Sequence, residues 1–350
     1  MDVTKAKLVK TLAHDRQLLS SRFSACGQYV FAGSSDQSVI AWTLSTDVKR
    51  VIAKHASWVM AIACHPKVPR VFSVDWHGGM QCTQLSTEDV TPVWSIAGKG
   101  GSVTRDIAAS PDGALLATVG SDANVRLWDS EKGTLLQEWE SGGADLYRVA
   151  FHPQGKDLIT GDLLGKVKQW ELSTGKMLRE MSAESLHTRG DEFIFIADVG
   201  GVRRFAFSPE RSLLACGGLA EAAGNTFCNG KQAVVTLDWQ TGQQVSRLKV
   251  NDAADGPVNG LCFLPEGILA GCGESGAGST VLCFWRKDES VPFHSIPIPC
   301  AYDLDLHPDK QQLALATHAA LGQTGNGRLV KNREEYVPNG GAVLVYALNE

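Results

Sequence analysis

Long apolar runs are missing from this 350-residue chain, and so is any excess of positive charge. No stretch approaches the ~20 consecutive apolar residues needed to cross a bilayer as a helix, and Met1 to Lys10 carries no apolar core of a secretion signal. A cytoplasmic location, with no membrane partner, is the resulting expectation. The formal net charge is -5, from 33 basic and 38 acidic residues, and the two signs are interspersed. With no basic stripe to neutralise phosphates, nucleic acid is not an expected partner. The longest charge cluster, Lys331 to Arg333 followed by Glu334 and Glu335, is short and mixed, as solvated loop charge is.

Several chemical signatures are also absent. No Cys-X-X-Cys occurs among the nine cysteines, no Gly-X-Ser-X-Gly elbow is present, and no glycine-rich loop joins a strand to a helix. Six of the cysteines, Cys64, Cys82, Cys216, Cys262, Cys272 and Cys283, sit inside apolar strand-like runs, where cysteine behaves as a small hydrophobe. They are expected to be reduced thiols. His65, His152 and His307 occupy the same turn position in separated segments, which suits turn geometry better than metal binding. Neither metal nor cofactor is expected, and no catalytic residue is assigned.

What the chain does have is 36 glycines, an ordinary hydrophobic content of 43%, and an internal repeat. Many short strands and tight turns follow from the glycine content and the rarity of helix-forming runs. Ala108 to Asp129 reads AASPDGALLATVGSDANVRLWD: a strand end, a Ser-Pro-Asp-Gly turn, an apolar strand, a polar turn, and a strand closing in Trp-Asp. Weaker copies begin at Arg22, Ala63, Ala150, Ala206, Cys262 and Asp305. The turn residues Ser24, His65, Ser110, His152, Ser208, Leu264 and His307 lie about 41 to 45 residues apart, except for two gaps of about 56. Segments ending in Leu12, Ile52, Ile96, Trp139, Met181, Leu248 and Ile296 form a second, independent series.

The repeat resembles the WD repeat closely. The resemblance implies an all-β, seven-bladed β-propeller, a single domain over 1–350, with blades at about 14–52, 53–96, 97–139, 140–181, 182–248, 249–296 and 297–350. The lone strand 8–12 has no blade of its own, and the last blade lacks an outer strand. Pairing Leu8 to Leu12 with Val343 to Tyr346 closes the ring and removes an exposed edge. The family's His, Ser/Thr, Asp and Trp network is incomplete in every copy. The third has Thr118, Asp122 and Trp128 without the His. The first has His14, Asp36 and Trp42 with Ala32 at the hydroxyl position. The fourth has Thr160 and Trp170, with Leu164 where Asp is expected. Thr83, Leu237, Phe284 and Tyr346 replace Trp elsewhere.

In such a ring, the connections from outer strand to next inner strand, and between second and third strands, share one face, the top. Four insertions fall there: Ser182 to Gly201, Leu219 to Gln232, Glu274 to Gly278 and Ala319 to Gly340. Growth on one face marks it as a binding face. The first insertion, which holds Phe193, Ile194, Phe195 and Ile196, is either a strand or lid packed on the propeller's own top or an exposed apolar docking element. The last carries Arg328 and Tyr336 and is either merely mobile or a contact loop. Residues entering the inner strands complete the candidate site: Met60, Arg105, Tyr147, Arg203, Arg204, Asn259 and Tyr302, with Trp58 nearby. Arg, Tyr and Trp are the types enriched at interface hot spots. The family resemblance implies a non-catalytic scaffold or adaptor that grips a protein or peptide through the top face and the long loops of blades 5–7, with a monomer favoured. Two alternatives remain open: an enzyme with its active site in the top funnel, which needs converging acids or histidines, and a small-ligand sensor with an apolar pocket under the fifth-blade insertion.

Overall fold

The structure is a computed structural model that describes residues 1–86, 89–190, 197–223, 229–250, 255–275, 279–318 and 340–348. Seven four-stranded antiparallel meanders build a closed β-propeller. Blade 1 is Leu18–Phe23, Tyr29–Ser34, Ser38–Thr43 and Lys49–Lys54; blade 2 is Val59–Cys64, Arg70–Asp75, Met80–Leu85 and Val90–Ile96. Blade 3 is Thr104–Ala109, Leu115–Gly120, Asn124–Asp129 and Leu135–Glu140; blade 4 is Leu146–Phe151, Asp157–Asp162, Lys166–Glu171 and Met177–Ser182. Blade 5 is Val202–Phe207, Leu213–Ala220, Lys231–Asp238 and Gln244–Lys249; blade 6 is Val258–Phe263, Leu269–Gly273, Ser279–Trp285 and His294–Pro299. Blade 7 takes Ala301–Leu306, Gln312–His318 and Gly341–Ala347 from the C-terminal part, and Lys7–His14 from the N-terminal part.

That shared blade carries the closure expected from the sequence. Leu8 lies opposite Tyr346, Lys10 opposite Val345 and Leu12 opposite Val343. The backbone groups of Gly341–Ala347 that would form an open edge are paired, which removes a template for edge-to-edge association. Residues ahead of the strand add to the seam. Val3 is buried with Leu264 and Ile268 of blade 6, and the Met1 amino group meets Glu266 at 2.9 Å.

Both sequence series mark real positions. Each turn residue of the first series directly follows a first strand, and each segment of the second is a fourth strand. Trp42, Thr83, Trp128, Trp170, Leu237 and Tyr346 share one register, each opposite the second-strand residue that also pairs with the last residue of the first strand; in blade 6 that place belongs to Trp285, opposite Leu269, and not to Phe284, which the repeat spacing suggests. A bulky apolar group there packs against the preceding blade, as Trp42 does with Ala314 and Ala316 of blade 7 and Trp170 with Ala117 and Val125 of blade 3, so Leu or Tyr can replace Trp while the packing survives. The six strand cysteines are on strands as expected, and the eight described cysteines form no disulfide.

A meander places its first and third connections at one end and its second and fourth at the other. The two ends differ sharply. The first connections, 24–28, 65–69, 110–114, 152–156, 208–212, 264–268 and 307–311, are all five residues long. At the opposite end the spans run from a single residue, Cys300, to 319–340. All four sequence insertions are at that variable end. Part of the fifth-blade insertion is itself strand: the second and third strands of blade 5 extend to Ala220 and Lys231, so the connection proper starts at Glu221.

Histidine explains part of the uniformity at the other end. His65 Nδ1 accepts from the backbone of Lys67 and Val68, at 3.1 and 3.3 Å, and His307 Nδ1 accepts from Asp309 at 3.2 Å. The same rings reach the following blades. His307 Nε2 meets the Gly27 carbonyl at 2.9 Å, and His152 stacks on Trp239 at 4.9 Å. The His65 and His307 rings occupy the space that a Cβ at Gly113 or Gly27 would need, and both glycines have positive φ. The turn role expected of these histidines is therefore joined to a role between blades.

Candidate functional site

All seven first strands break register at one place, after their first residue. The residue left over is Leu19, Met60, Arg105, Tyr147, Arg203, Asn259 or Tyr302. A bulge frees a side chain from the pleat and re-aims it. Six of these seven were singled out from the sequence as strand-entry residues, and the bulge gives the physical reason they form a set.

The structure joins three of them. The Tyr147 ring lies between two guanidiniums, Arg105 at 4.2 Å and Arg203 at 3.9 Å from its centroid. Asp145 holds Arg105 at 2.8 Å, and Arg203 Nε donates to the Gly200 carbonyl at 3.1 Å. Blades 3, 4 and 5 are thus linked by one cation–π stack at the variable end, each contact of the kind that contributes about 0.5–2 kcal/mol. Tyr302 packs edge-on against His318 at 5.6 Å. Trp58 stands apart on blade 2: it is 52% exposed and meets Trp76 edge-on at 5.8 Å. Asn259 is half-buried at the entry of blade 6. Phe193, Phe195, Arg328 and Tyr336 lie outside the described residues.

Arg204 sits one residue deeper, where the first strands line the channel. It reaches past Gly260 of blade 6 to Asp303 at 3.0 Å and the Tyr302 carbonyl at 2.8 Å. Asp303 also takes Arg22 at 2.6 Å and the Ser21 amide at 3.2 Å. Burial alone would raise the Asp303 carboxyl, but Arg204 and Arg22 hold it below the ordinary carboxylate value. Asp106 repeats the pattern, accepting from Arg148 at 2.8 Å and from the Val149 amide at 2.9 Å. Each of these acids binds a backbone N–H of the next blade, where neighbouring first strands have no ladder between them. The channel acids therefore staple blade to blade while neutralising the guanidiniums. Two of the three such amides belong to the 7-to-1 seam, since Asp305 accepts from Phe23 at 2.8 Å. Burial pushes the Asp305 carboxyl up to about 6, and burial with nearby Arg204 brings Arg148 down to about 10.

The hairpin His187–Gly190 and Ala197–Gly200 forms the base of the insertion before blade 5. Leu186 beside it is fully buried in the blade-5 core, and Thr188 Oγ1 accepts from the Ala222 amide at 3.0 Å. The base packs on blades 4 and 5; residues 191–196, on which the two readings of this insertion turn, lie outside the described set.

Sequence reasoning missed one polar network. In blade 2, His55 Nε2 meets Ser73 Oγ at 2.8 Å while Nδ1 lies 3.4 Å from Asp75. Asp75 sits two residues before the position that Asp36 and Asp122 occupy in their turns, so a fixed spacing passes over it. The same shift corrects the reading of blade 4. Leu164 does hold the expected acid position, but Asp162 supplies the turn carboxylate, accepting from the amides of Leu164 and Lys166 at 2.9 and 2.8 Å. The hydroxyl-to-indole pairs were legible: Trp128 donates to Thr118 and Trp170 to Thr160, each at 2.9 Å.

A cavity of about 530 Å³ opens at the opposite mouth of the channel, lined by Arg22, Arg148 and Asp305 above a collar of Ala63, Ala108 and Ala150. A second, of about 270 Å³, lies between blades 2 and 3. Among the described residues no group of three or more His, Cys, Asp or Glu could hold a metal ion, and no helix is long and apolar enough to cross a membrane.

The family model described as "WD domain, G-beta repeat" matches residues 6–43 and 90–129. Each match is a fourth strand plus the next blade's first three, ending one residue after Trp42 and Trp128. The Caenorhabditis elegans protein "Transcription initiation factor TFIID subunit 5" is 24% identical over 272 residues, 76% of this chain and 40% of that protein. "Small ribosomal subunit protein RACK1y" of Oryza sativa subsp. japonica is 26% identical over 132 residues, 37% of this chain and 38% of its own length. "Protein HIR1" of Mycosarcoma maydis is 24% identical over 211 residues, 60% of this chain and 17% of that protein. The matched span is thus about two fifths of the first two relatives and less of the third. Seven bulged, seam-closed meanders, two of them matched by the repeat model, make this chain a seven-bladed β-propeller similar to the WD-repeat family, with the departures of a divergent copy.

Proposed function

We propose that the chain is a non-catalytic scaffold that grips a protein or peptide through its variable end. The contact surface runs from the Arg105–Tyr147–Arg203 stack to the long connections of blades 5–7, within a single propeller unit in the cytoplasm. One observation carries this reading: connections at one end run from a single residue to the span 319–340, while at the other end all seven first connections are five residues long and the third connections stay between four and eight. Loops free of architectural duty accumulate length where they serve recognition. The stack adds rigid aromatic and guanidinium groups at the same end, the types that dominate interface energy. A specific partner would bury roughly 1,200–2,000 Å² in total.

An enzymatic reading is less well supported, because Asp106 and Asp303 in the channel are already engaged by arginines. The test is affinity capture and mass spectrometry with three proteins: the intact chain, a Tyr147→Ala/Arg203→Ala variant, and a Lys67→Glu variant at the uniform end. The expected result is a set of proteins retained by the intact chain and by Lys67→Glu but lost from the double variant. Equal retention by all three would contradict the reading.

A further inference from the structure

Blades 1 and 2 carry His14 and His55 four residues before the start of their first strands. His55 is buried and seated on Ser73 and Asp75; His14 lies 3.3 Å from Asp36. The equivalent positions in blades 3 and 4 are Gly100 and Gly142, both at φ +68 and both with nothing within 4 Å of where a Cβ would stand. Blade 4 fills its gap from within. Lys168, opposite Thr160 in the ladder, is buried, and its Nζ donates to the carbonyls of Ser141 and Gly142 at 2.6 and 3.2 Å. Blade 3 has Arg126 at that register, opposite Thr118. Its guanidinium turns instead to Asp122 at 2.6 Å and Glu138 at 2.8 Å. The result is the cavity of about 270 Å³ between blades 2 and 3, whose wall includes Gly100, Ser102, Thr118, Arg126 and Trp128. It falls just short of the ~300–1,000 Å³ of ordinary small-molecule sites and is of a size for a single side chain.

We propose that this cavity binds the imidazole of a histidine presented by a peptide partner, in the place that His55 fills in the neighbouring blade. Thr118 stands where Ser73 does, each opposite the fourth residue of its first strand. Its hydroxyl accepts from Trp128 at 2.9 Å and donates to no other described residue, so its proton is available to a ring nitrogen. Asp122 holds the turn position of Asp36, the acid beside His14. Val74, Met80 and Ile96 supply an apolar wall for the ring. A peptide source fits the surroundings. Exposed Trp58 and half-buried Trp76 form an aromatic lip on blade 2, and the Trp76 carbonyl accepts from the Thr104 amide, Thr104 being itself a cavity residue, at 3.3 Å. The charged and titratable groups around the cavity are His77, Lys99, Arg126, Asp122 and Glu138. With Arg126 engaging both acids, the site favours a neutral ring over a cation, as burial favours the neutral form of His55. This inference does not depend on a partner at blades 5–7.

The test uses the full chain and N-acetylhistidine methylamide as probe, followed by calorimetry and by the indole N–H resonance of Trp128. At pH 8 the probe should bind in the millimolar range and move that resonance; at pH 5, below the ordinary histidine pKa of about 6.5, binding should weaken. N-acetylleucine methylamide should not bind. Thr118→Val should weaken binding roughly three- to tenfold, the worth of one hydrogen bond, and Thr118→Ser, which restores the arrangement of blade 2, should retain it. Absence of binding, equal binding of the leucine probe, or an unchanged affinity in Thr118→Val with Thr118→Ser as its folded reference would overturn the proposal.

Discussion

The two ends of the propeller are made from the same strands and obey different rules. At one end are seven five-residue turns, six of them held by their own serine or histidine side chain, the exception being the Leu264 turn of blade 6, and the three histidines reach the following blade. A lengthened turn there would displace a group on which the adjacent sheet rests. At the other end the insertion before blade 5 packs through Leu186 and Thr188 on blades 4 and 5, and the connections nevertheless differ widely in length. The contrast separates the part of the molecule that makes a ring from the part available for recognition. The channel belongs to the first part, because its acids stitch successive blades together.

The contrast can be broken most severely at the seam. Deleting residues 1–13 removes the outer strand of blade 7 together with Val3, and should cost more than about 4 kcal/mol, the range reserved for structural failure. Thermal unfolding measures it; an unaltered midpoint would show that the ring closes without this strand. Next in size is Asp303→Asn, which leaves Arg22 and Arg204 unpaired in the channel and should cost roughly 3–5 kcal/mol. Because the folded carboxyl titrates below its unfolded value, wild-type stability from this group is present above pH ~4 and lost as pH falls through the folded pKa.

Asp305→Asn should act in the opposite direction. The carboxyl of Asp305 is raised to about 6 when folded, so the folded state holds its proton more tightly than the unfolded state does between pH ~4 and 6, and stability falls as pH rises across that window. The amide variant can still accept from Phe23, should be about 1–2 kcal/mol more stable at pH 7, and should flatten that slope in denaturant titrations. Tyr147→Ala should lower stability by no more than about 1–2 kcal/mol yet weaken partner capture about tenfold or more. The smallest stability effect belongs to the connection of blade 7. Replacing 323–339 with a short Gly-Ser linker should change unfolding by less than ~0.5 kcal/mol while reducing capture. A large loss would assign that connection to the ring-making part.

Much of this division is legible from residues alone. The turn series and the series of fourth-strand segments located seven blades, because the same packing need recurs in each, although the spacing points to Phe284 for the place that Trp285 fills in blade 6. The spare strand at one terminus and the gap at the other located the seam. The entry residues were found as a list of types, but the stack was not, since it depends on a bulge that brings Arg105, Tyr147 and Arg203 over one another across three blades. Arg204 shows the limit at close range: one position further along the strand turns a rim residue into a channel residue. His55–Ser73–Asp75 escaped because its acid is displaced by two residues, and the empty place at Gly100 could be seen only beside the filled one at Lys168.

The most direct test of the central claim is hydrogen exchange on the chain bound to a captured partner. Protection is expected to map to connections of the variable end, such as 55–58, 141–145 and 183–201, with the seven five-residue turns exchanging as they do in the free chain. Protection confined to those turns, with the variable end unchanged, would contradict the account.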